Sequence, residues 1–263
     1  RRPLVSTKKH LGQHWLHDRF VLDHIADEAD VDGRDMVLEV GPGLGTLTSI
    51  LLARAGKVIA VEFDEDLARK LPGQFPGKRL EVVHSDILAY DTRELPPGYK
   101  VVANVPYYIT SKIIQKFMTA ANRPSVVTLL IQKEVAERVA ARPGDMSILA
   151  VSAQLYADVS LGDVVPAELF TPPPKVDSQV VTLRTKQLEL PTGVDEKLFF
   201  RVVKAGFSAK RKKLRSSLSG GLGIAKDEVD ALLARVNISP DERAEALSVE
   251  DWKRLAGAYS NDD

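Results

Sequence analysis

The chain has 263 residues, 36 Lys and Arg against 36 Asp and Glu, and no cysteine. That length holds one substantial domain and a smaller one. The zero net charge excludes a uniformly basic nucleic-acid binder, and the lack of thiols excludes disulfides and cysteine metal sites. No long uninterrupted apolar stretch occurs and the first residues are polar, so a cytoplasmic protein with no membrane association is expected. The charge is unevenly spread: Arg184 to Ser217 carries ten Lys/Arg against three acids, a local net of +7, and Leu218 onward carries five against ten, a net of −5.

Residues 1–17 are basic and irregular, with Arg1, Arg2, Lys8 and Lys9 ahead of Leu11-Gly12-Gln13-His14-Trp15-Leu16. Asp18 is placed to cap a helix reaching about Ala29. His10, His14 and His17 would share one helical face, but Gly12 interrupts such a helix and structural zinc closes with four ligands. The arm is therefore read as a polar clamp or an RNA-facing segment, and no metal site is expected.

Met36–Val40 reads as a buried strand running into Gly41-Pro42-Gly43-Leu44-Gly45, and Thr46 to Arg54 as the following helix. This is a nucleotide-type turn between strand and helix. It lacks the Lys-Ser/Thr pair of a phosphate-cradling loop, and its glycines follow G-x-G-x-G, which weakens both an ATP and an NAD reading. Further strands repeat the pattern. Val58–Val61 ends in Glu62, Leu80–Val83 leads to Asp86, and Lys100–Ala103 ends in Asn104. Each delivers a polar residue at one edge. Glu62, about twenty residues past the first glycine, has the position expected for ribose hydroxyls; Asp86 could accept from an adenine amine. Either acid alone reads equally as a helix N-cap.

Asn104-Val105-Pro106-Tyr107 joins an amide, a rigid turn and an aromatic face at a strand end. Pro106 fixes its own φ and extends Val105, turning the Asn104 oxygen and nearby carbonyls toward one point. An adenine N6 lone pair is delocalised into its ring, so acceptors that favour a pyramidal amine stabilise the attacking state more than the ground state. Tyr107 would stack on the base. The bland alternative is a strand-ending turn with a buried tyrosine.

Val126–Ile131 reads as a fifth strand, followed by a helix through Glu134, Glu137 and Arg138 and another over Met146–Tyr156. Asp158–Val165 and Gln179–Leu183 read as a hairpin pair, separated by Phe170-Thr171-Pro172-Pro173-Pro174-Lys175-Val176-Asp177-Ser178, a stiff extended loop. Phe170 is either a second wall against the base or a core residue. Past Pro191-Thr192-Gly193 only helical patterns occur: Asp195–Phe207, Ala209–Leu218, Lys226–Val236 and Val249–Ala258. The expected domains are 1–186 and 187–263. Lys210, Arg211, Lys212, Lys213 and Arg215 fall at the expected start of the second of these helices, as a grip on phosphates or a solvated face.

Taken together, Leu11–Leu16, Leu38–Gly45, Asn104–Tyr107, Phe170–Ser178 and Phe207–Arg215 resemble the ribosomal RNA adenine dimethyltransferases, over nearly the whole chain. Phe207–Arg215 is more similar to the small-subunit enzymes than to the erythromycin-resistance methylases of large-subunit RNA. The resemblance implies an α/β, Rossmann-like class I S-adenosylmethionine-dependent methyltransferase sheet with a small all-helical C-terminal domain. It implies S-adenosylmethionine held at His14, Leu16, Gly41, Gly43, Glu62, Asp86 and Asn104, with Asn104, Pro106, Tyr107 and Phe170 at the reacting base. Small-subunit ribosomal RNA, or the immature small subunit, is the implied partner of a monomer gripping RNA through Lys210–Lys213 and Arg215. The chain departs from the pattern at His14, where asparagine is common, at Trp15, usually phenylalanine, and at Tyr108, often asparagine. Rival readings are a large-subunit methylase and a non-catalytic ribosome-assembly factor.

Overall fold

The computed structural model describes residues 13–261. His10 and the basic residues at positions 1, 2, 8 and 9 lie outside the described residues. Two compact units result: Arg1–Ala136 with Val159–Thr185, and Glu137–Asp158 with Lys186–Asp263. The sequence suggested one cut near 186; the fold groups residues 137–158 with the C-terminal helices as well.

The first unit opens with a two-residue strand β1 (Trp15–Leu16) and helix α1 (Arg19–Glu28), whose N-cap Asp18 accepts from Val21 N at 3.0 Å. Leu22, Ile25 and Ala26, at helical spacing, form the buried face of α1. Alternation of strand and helix follows: β2 (Met36–Val40), α2 (Thr46–Arg54), β3 (Lys57–Glu62), α3 (Glu65–Gln74), β4 (Leu80–His84), β5 (Lys100–Asn104), α4 (Thr110–Met118) and β6 (Val126–Gln132). After α5 (Lys133–Val139) and α6 (Ile148–Gln154) come β7 (Ala157–Val165), β8 (Phe170–Thr171) and β9 (Ser178–Thr185).

Seven strands form one sheet in the order β4-β3-β2-β5-β6-β9-β7, and β1 pairs with β8 in a separate two-stranded sheet. Strands β4 to β6 run parallel, while β9 is antiparallel to β6. β7 lies beside β9, as expected of the hairpin pair. Covered on both faces, central parallel strands are mostly apolar, which is why β2 and β6 are rich in Val, Leu and Ile, with buried Glu39 in β2 and buried Thr128 in β6 as the polar exceptions. The strand order reverses between β2 and β5, because β2 leads outward to β3 and β4 and the chain then crosses back to β5. Such a switch opens a crevice at the carboxyl ends of the two strands.

In the second unit α7 (Glu196–Gly206), α8 (Leu214–Leu222), α9 (Lys226–Arg235) and α10 (Val249–Ser260) surround a core containing fully buried Phe199 and Trp252. Asp195 caps α7 through Leu198 N at 2.8 Å, and Ser248 and Asp251 form a reciprocal capping box on α10. Helix α8 starts at Leu214, later than the expected Ala209. Arg211 has φ +64°, a left-handed conformation that an α-helix does not contain, so Lys210–Lys213 form a turn ahead of the helix.

Candidate active site

The crevice is organised by strand register. Val40 pairs with Val61 on one side and Ala103 on the other, so the next residues, Gly41, Glu62 and Asn104, form one row across β3, β2 and β5. Glu62 in turn pairs with His84, two residues before Asp86. Neighbouring strands lie about 4.8 Å apart, so the row from Glu62 to Asn104 is about 10 Å long. Four of the residues singled out in the sequence therefore share one edge.

Glu62 is 5% exposed and accepts from Gly43 N at 3.0 Å through Oε1 and from Asp64 N at 2.9 Å through Oε2. Each carboxylate oxygen keeps a second lone pair for a ligand hydroxyl. The glycine loop is also pressed from beneath: a Cβ on Gly43, which has φ +57°, would stand 2.3 Å from Trp15 Cζ3. Only a residue without Cβ lets the loop lie on that indole. Thr46 Oγ1 donates to the Leu16 carbonyl at 2.8 Å, and His14 Nδ1 donates to the Pro172 carbonyl at 2.5 Å. β1 thus stitches the loop after β2 to the proline loop, with Trp15 opposite Thr171 and Leu16 opposite Phe170.

Asp86 is exposed and also caps the 3-10 turn Ile87–Ala89 through Leu88 N at 2.9 Å, so its structural role and its proposed ligand role coexist. At the far end of the row Asn104 is half-buried. Its side-chain amide has no hydrogen-bond partner among the described residues, while Val105 N donates to Leu130 O at 3.0 Å and locks the backbone behind it. The half-buried amide is thus open to solvent or to a ligand. The Pro106 carbonyl accepts weakly from Ile109 N at 3.3 Å and Thr110 Oγ1 at 3.4 Å, which leaves Asn104 as the stronger free acceptor. Tyr107 opens the 3-10 turn Tyr107–Ile109.

Phe170 resolves between its two readings. Its side chain is 3% exposed and belongs to the same core as Leu16, Leu22 and Val180, so in this conformation it packs inward and offers no open face to a base. The basic residues sort as well. Lys213 pairs with Asp241 at 3.1 Å and Arg215 with Asp230 at 3.0 Å, whereas Lys210, Arg211 and Lys212 project from the exposed turn with no carboxylate partner among the described residues.

Three features escaped the sequence reading. Trp15 floors the glycine loop. Phe63, 74% exposed, follows Glu62 directly at the end of β3, and Leu88, 36% exposed, stands two residues past Asp86 in the 3-10 turn after β4. Glu39 lies buried on β2, accepting from Thr48 Oγ1; burial pushes its carboxyl up to about 8, the Thr48 bond opposes this and the Glu62 charge adds to it.

The ribosomal RNA adenine dimethylase family profile matches residues 5–261. This chain belongs to that family. Among curated relatives, the ribosomal RNA small subunit methyltransferase A of Dehalococcoides mccartyi strain 195 is 44% identical over 97% of this chain and 89% of its own length. The protein of that name from Nostoc sp. PCC 7120 is 40% identical over 96% and 98%. Two solved structures are similar over most of the chain. A dimethyladenosine transferase from Plasmodium falciparum has a TM-score of 0.80 at 27% identity, covering 92% of this chain and 96% of its own. The 23S rRNA methyltransferase ErmE has a TM-score of 0.74 at 29% identity, covering 93% and 98%. The α/β methyltransferase sheet expected from the sequence is therefore the architecture of the family.

Proposed function

We propose that this adenine dimethylase transfers methyl groups from S-adenosylmethionine to N6 of two adjacent adenines in the 3′-terminal hairpin of small-subunit ribosomal RNA. The row of Gly41, Glu62 and Asn104 supports this reading most directly, since it sets a ribose acceptor and an amine acceptor at opposite ends of one crevice. The residues fit the cofactor. Glu62 retains acceptor capacity toward ribose hydroxyls, Asp86 lies at the neighbouring strand end, and Phe63 and Leu88 offer apolar faces to an adenine ring. Gly41 and Gly43 keep the loop close to the ligand, with Leu16 tying the arm to Thr46 just after that loop and His14 tying it to the proline loop.

When bound, S-adenosylmethionine supplies an electrophilic sulfonium methyl. The chain's part is to hold the attacking amine. Asn104 Oδ1 accepts one N6 hydrogen, and the carbonyl region of Val105 and Pro106 accepts the other, which draws the nitrogen toward a pyramidal state whose lone pair is free to attack. Tyr107 stacks on the unstacked base. The methylated amine then sheds its proton to solvent, so positioning and electrostatics supply the acceleration without a strong general base. A second round acts on the monomethylated amine, whose one remaining hydrogen is held by a single acceptor before it too is shed to solvent.

Lys210, Arg211 and Lys212 hold the phosphate backbone of the ribosomal RNA or immature small subunit, and the protein acts as a cytoplasmic monomer. No helix among the described residues is long and apolar enough to cross a membrane. The names of the curated relatives favour the small-subunit substrate over the large-subunit alternative. The test offers labelled cofactor to small-subunit particles and to large-subunit RNA and maps the modified nucleotide. Dimethyladenosine in the small-subunit RNA is expected; label confined to large-subunit RNA overturns the assignment.

A further inference from the structure

The opposite edge of the same sheet carries a pattern that methyl transfer does not use. Three times in succession a glycine is followed directly by a cation immediately before or at the start of a parallel strand: Gly33-Arg34 before β2, Gly56-Lys57 at β3, and Gly77-Lys78-Arg79 before β4. Because the strands are parallel and adjacent, these three turns meet at the amino-terminal edge, where with Pro96-Pro97-Gly98 they line a cleft of about 720 Å³. The turns are held close. A Cβ on Gly56 would stand 2.5 Å from the Gly33 carbonyl oxygen, and Gly56 N donates to Asp35 O at 2.9 Å.

Charge pairing inside the cleft is unequal. Arg34 is held by Asp32 at 2.8 Å, Lys57 by Glu81 at 3.3 Å, and Asp35 is neutralised by Lys100 at 3.0 Å. Lys78 and Arg79, both exposed, have no carboxylate partner among the described residues; Arg79 Nη1 reaches only the Gly56 carbonyl, at 3.4 Å. Among the lining residues four cations, Arg34, Lys57, Lys78 and Arg79, therefore stand beside two carboxylates, Asp35 and Glu81, and Lys78 and Arg79 are the pair without an ionic partner among the described residues. A cleft of this size with a proline wall and exposed glycine backbone suits a sugar-phosphate chain, which brings phosphates to the cations and needs close approach to main chain. The five-residue strands put this edge about 17 Å from the catalytic row, too far for one nucleotide to serve both.

We infer that the amino-terminal edge of the sheet is a second contact for ribosomal RNA, gripping a phosphodiester segment through Lys78 and Arg79 while the target adenine occupies the carboxyl edge. The inference rests on the proposed function, and adds that a folded RNA particle engages both edges of the sheet with two segments. A short target hairpin does not satisfy both.

The experiment compares wild type with Lys78→Gln/Arg79→Gln and Lys78→Glu/Arg79→Glu. Affinity is measured for immature small-subunit particles and for a short target hairpin across a salt series, with S-adenosylmethionine affinity and thermal midpoint as controls. Loss of two phosphate contacts should flatten the particle salt slope by about 1.4 to 1.8 log units per log unit of salt, with the glutamate pair weaker than the glutamine pair. Hairpin affinity, hairpin methylation and cofactor affinity should match wild type. Particle binding with an unaltered slope overturns the inference, as does an equal loss on hairpin and particle, which would place the effect at the catalytic end. Inorganic phosphate competing as effectively as RNA of equal phosphate content would assign the cleft to a free anion and overturn the polymer contact. If wild type binds particles with the cleft-dependent slope yet transfers no methyl, the proposed function fails and the RNA contact stands.

Discussion

Glu62 holds the amide of Gly43 at 3.0 Å, so the acid at the end of β3 fixes the loop at the end of β2. The carboxylate is a latch, and the proposed function gives it a second role as acceptor for the cofactor ribose. Glu62→Ala should weaken S-adenosylmethionine binding by about 1 to 3 kcal/mol, the scale of a lost hydrogen bond to a charged group. Glu62→Gln should recover little, because its NH₂ would face the N–H of Gly43 or Asp64. Calorimetric titration reads both; an affinity equal to wild type removes Glu62 from the cofactor site.

Asn104 stands at the other end of the row with its amide unused by the described protein. Asn104→Ala should leave cofactor affinity near wild type and lower single-turnover methyl transfer by about 10²-fold or more, as when one preorganised contact to a transition state is removed. A near-normal single-turnover rate would sink the amine-holding mechanism. Tyr107→Ala should cost about 1 to 3 kcal/mol in binding of the unstacked base.

Because Lys213 and Arg215 are already paired with Asp241 and Asp230, the turn cations ahead of α8 should dominate phosphate binding. Arg211→Ala/Lys212→Ala should flatten the salt dependence of RNA affinity by about 1.4 to 1.8 log units per log unit of salt. Cofactor affinity should not move. A slope identical to wild type would show that this turn faces solvent in the complex.

Buried Glu39 gives a pH signature. Its folded value, near 8, is above the usual carboxylate range, so between about pH 4.5 and 8 the folded state holds a proton that the unfolded chain releases. The sign follows: the contribution to stability is fully present below the unfolded value and is lost as pH rises toward 8, by up to about 1.4 kcal/mol per pH unit. Glu39→Gln keeps an acceptor for Thr48 and has no proton to lose. Its thermal midpoint should gain on wild type steadily from pH 5 to 8; parallel curves would show that Glu39 is ionised throughout.

The parallel core was legible because burial on both faces writes a strand as a largely apolar run, as in Val126–Ile131 with Thr128 its one polar member, and because Glu62 and Asn104 end their runs at the shared edge. The site's register was not, since neighbours such as Gly41 and Asn104 are far apart in sequence and pair only through the crossover. β1 and β8 are two residues each, too short for any period to register. Periodicity also failed at Ala209–Lys213, where the left-handed Arg211 breaks a run that otherwise reads as helix. Phe170 shows the limit of a motif: its position in the proline loop was readable, but whether its ring faces inward or outward is decided by Leu16 and Val180, which come from distant segments.

The interleaving of the two units has a bearing on how such genes can recombine. The helical unit is built from two stretches, with Gly144 N and Met146 N bonded to Glu245 O, Lys186 N to Tyr156 O, and the Tyr156 ring 6.4 Å from that of Phe200. A single crossover near residue 186 between two relatives would join a foreign set of C-terminal helices to a native 137–158 segment, leaving Ala150, Val151 and Leu155 to meet surfaces they did not evolve with. Exchange of the whole unit requires three crossovers at once, near residues 136, 158 and 186, so substitutions in residues 137–158 are expected to track those in the C-terminal helices more closely than those in the strands that flank them in sequence.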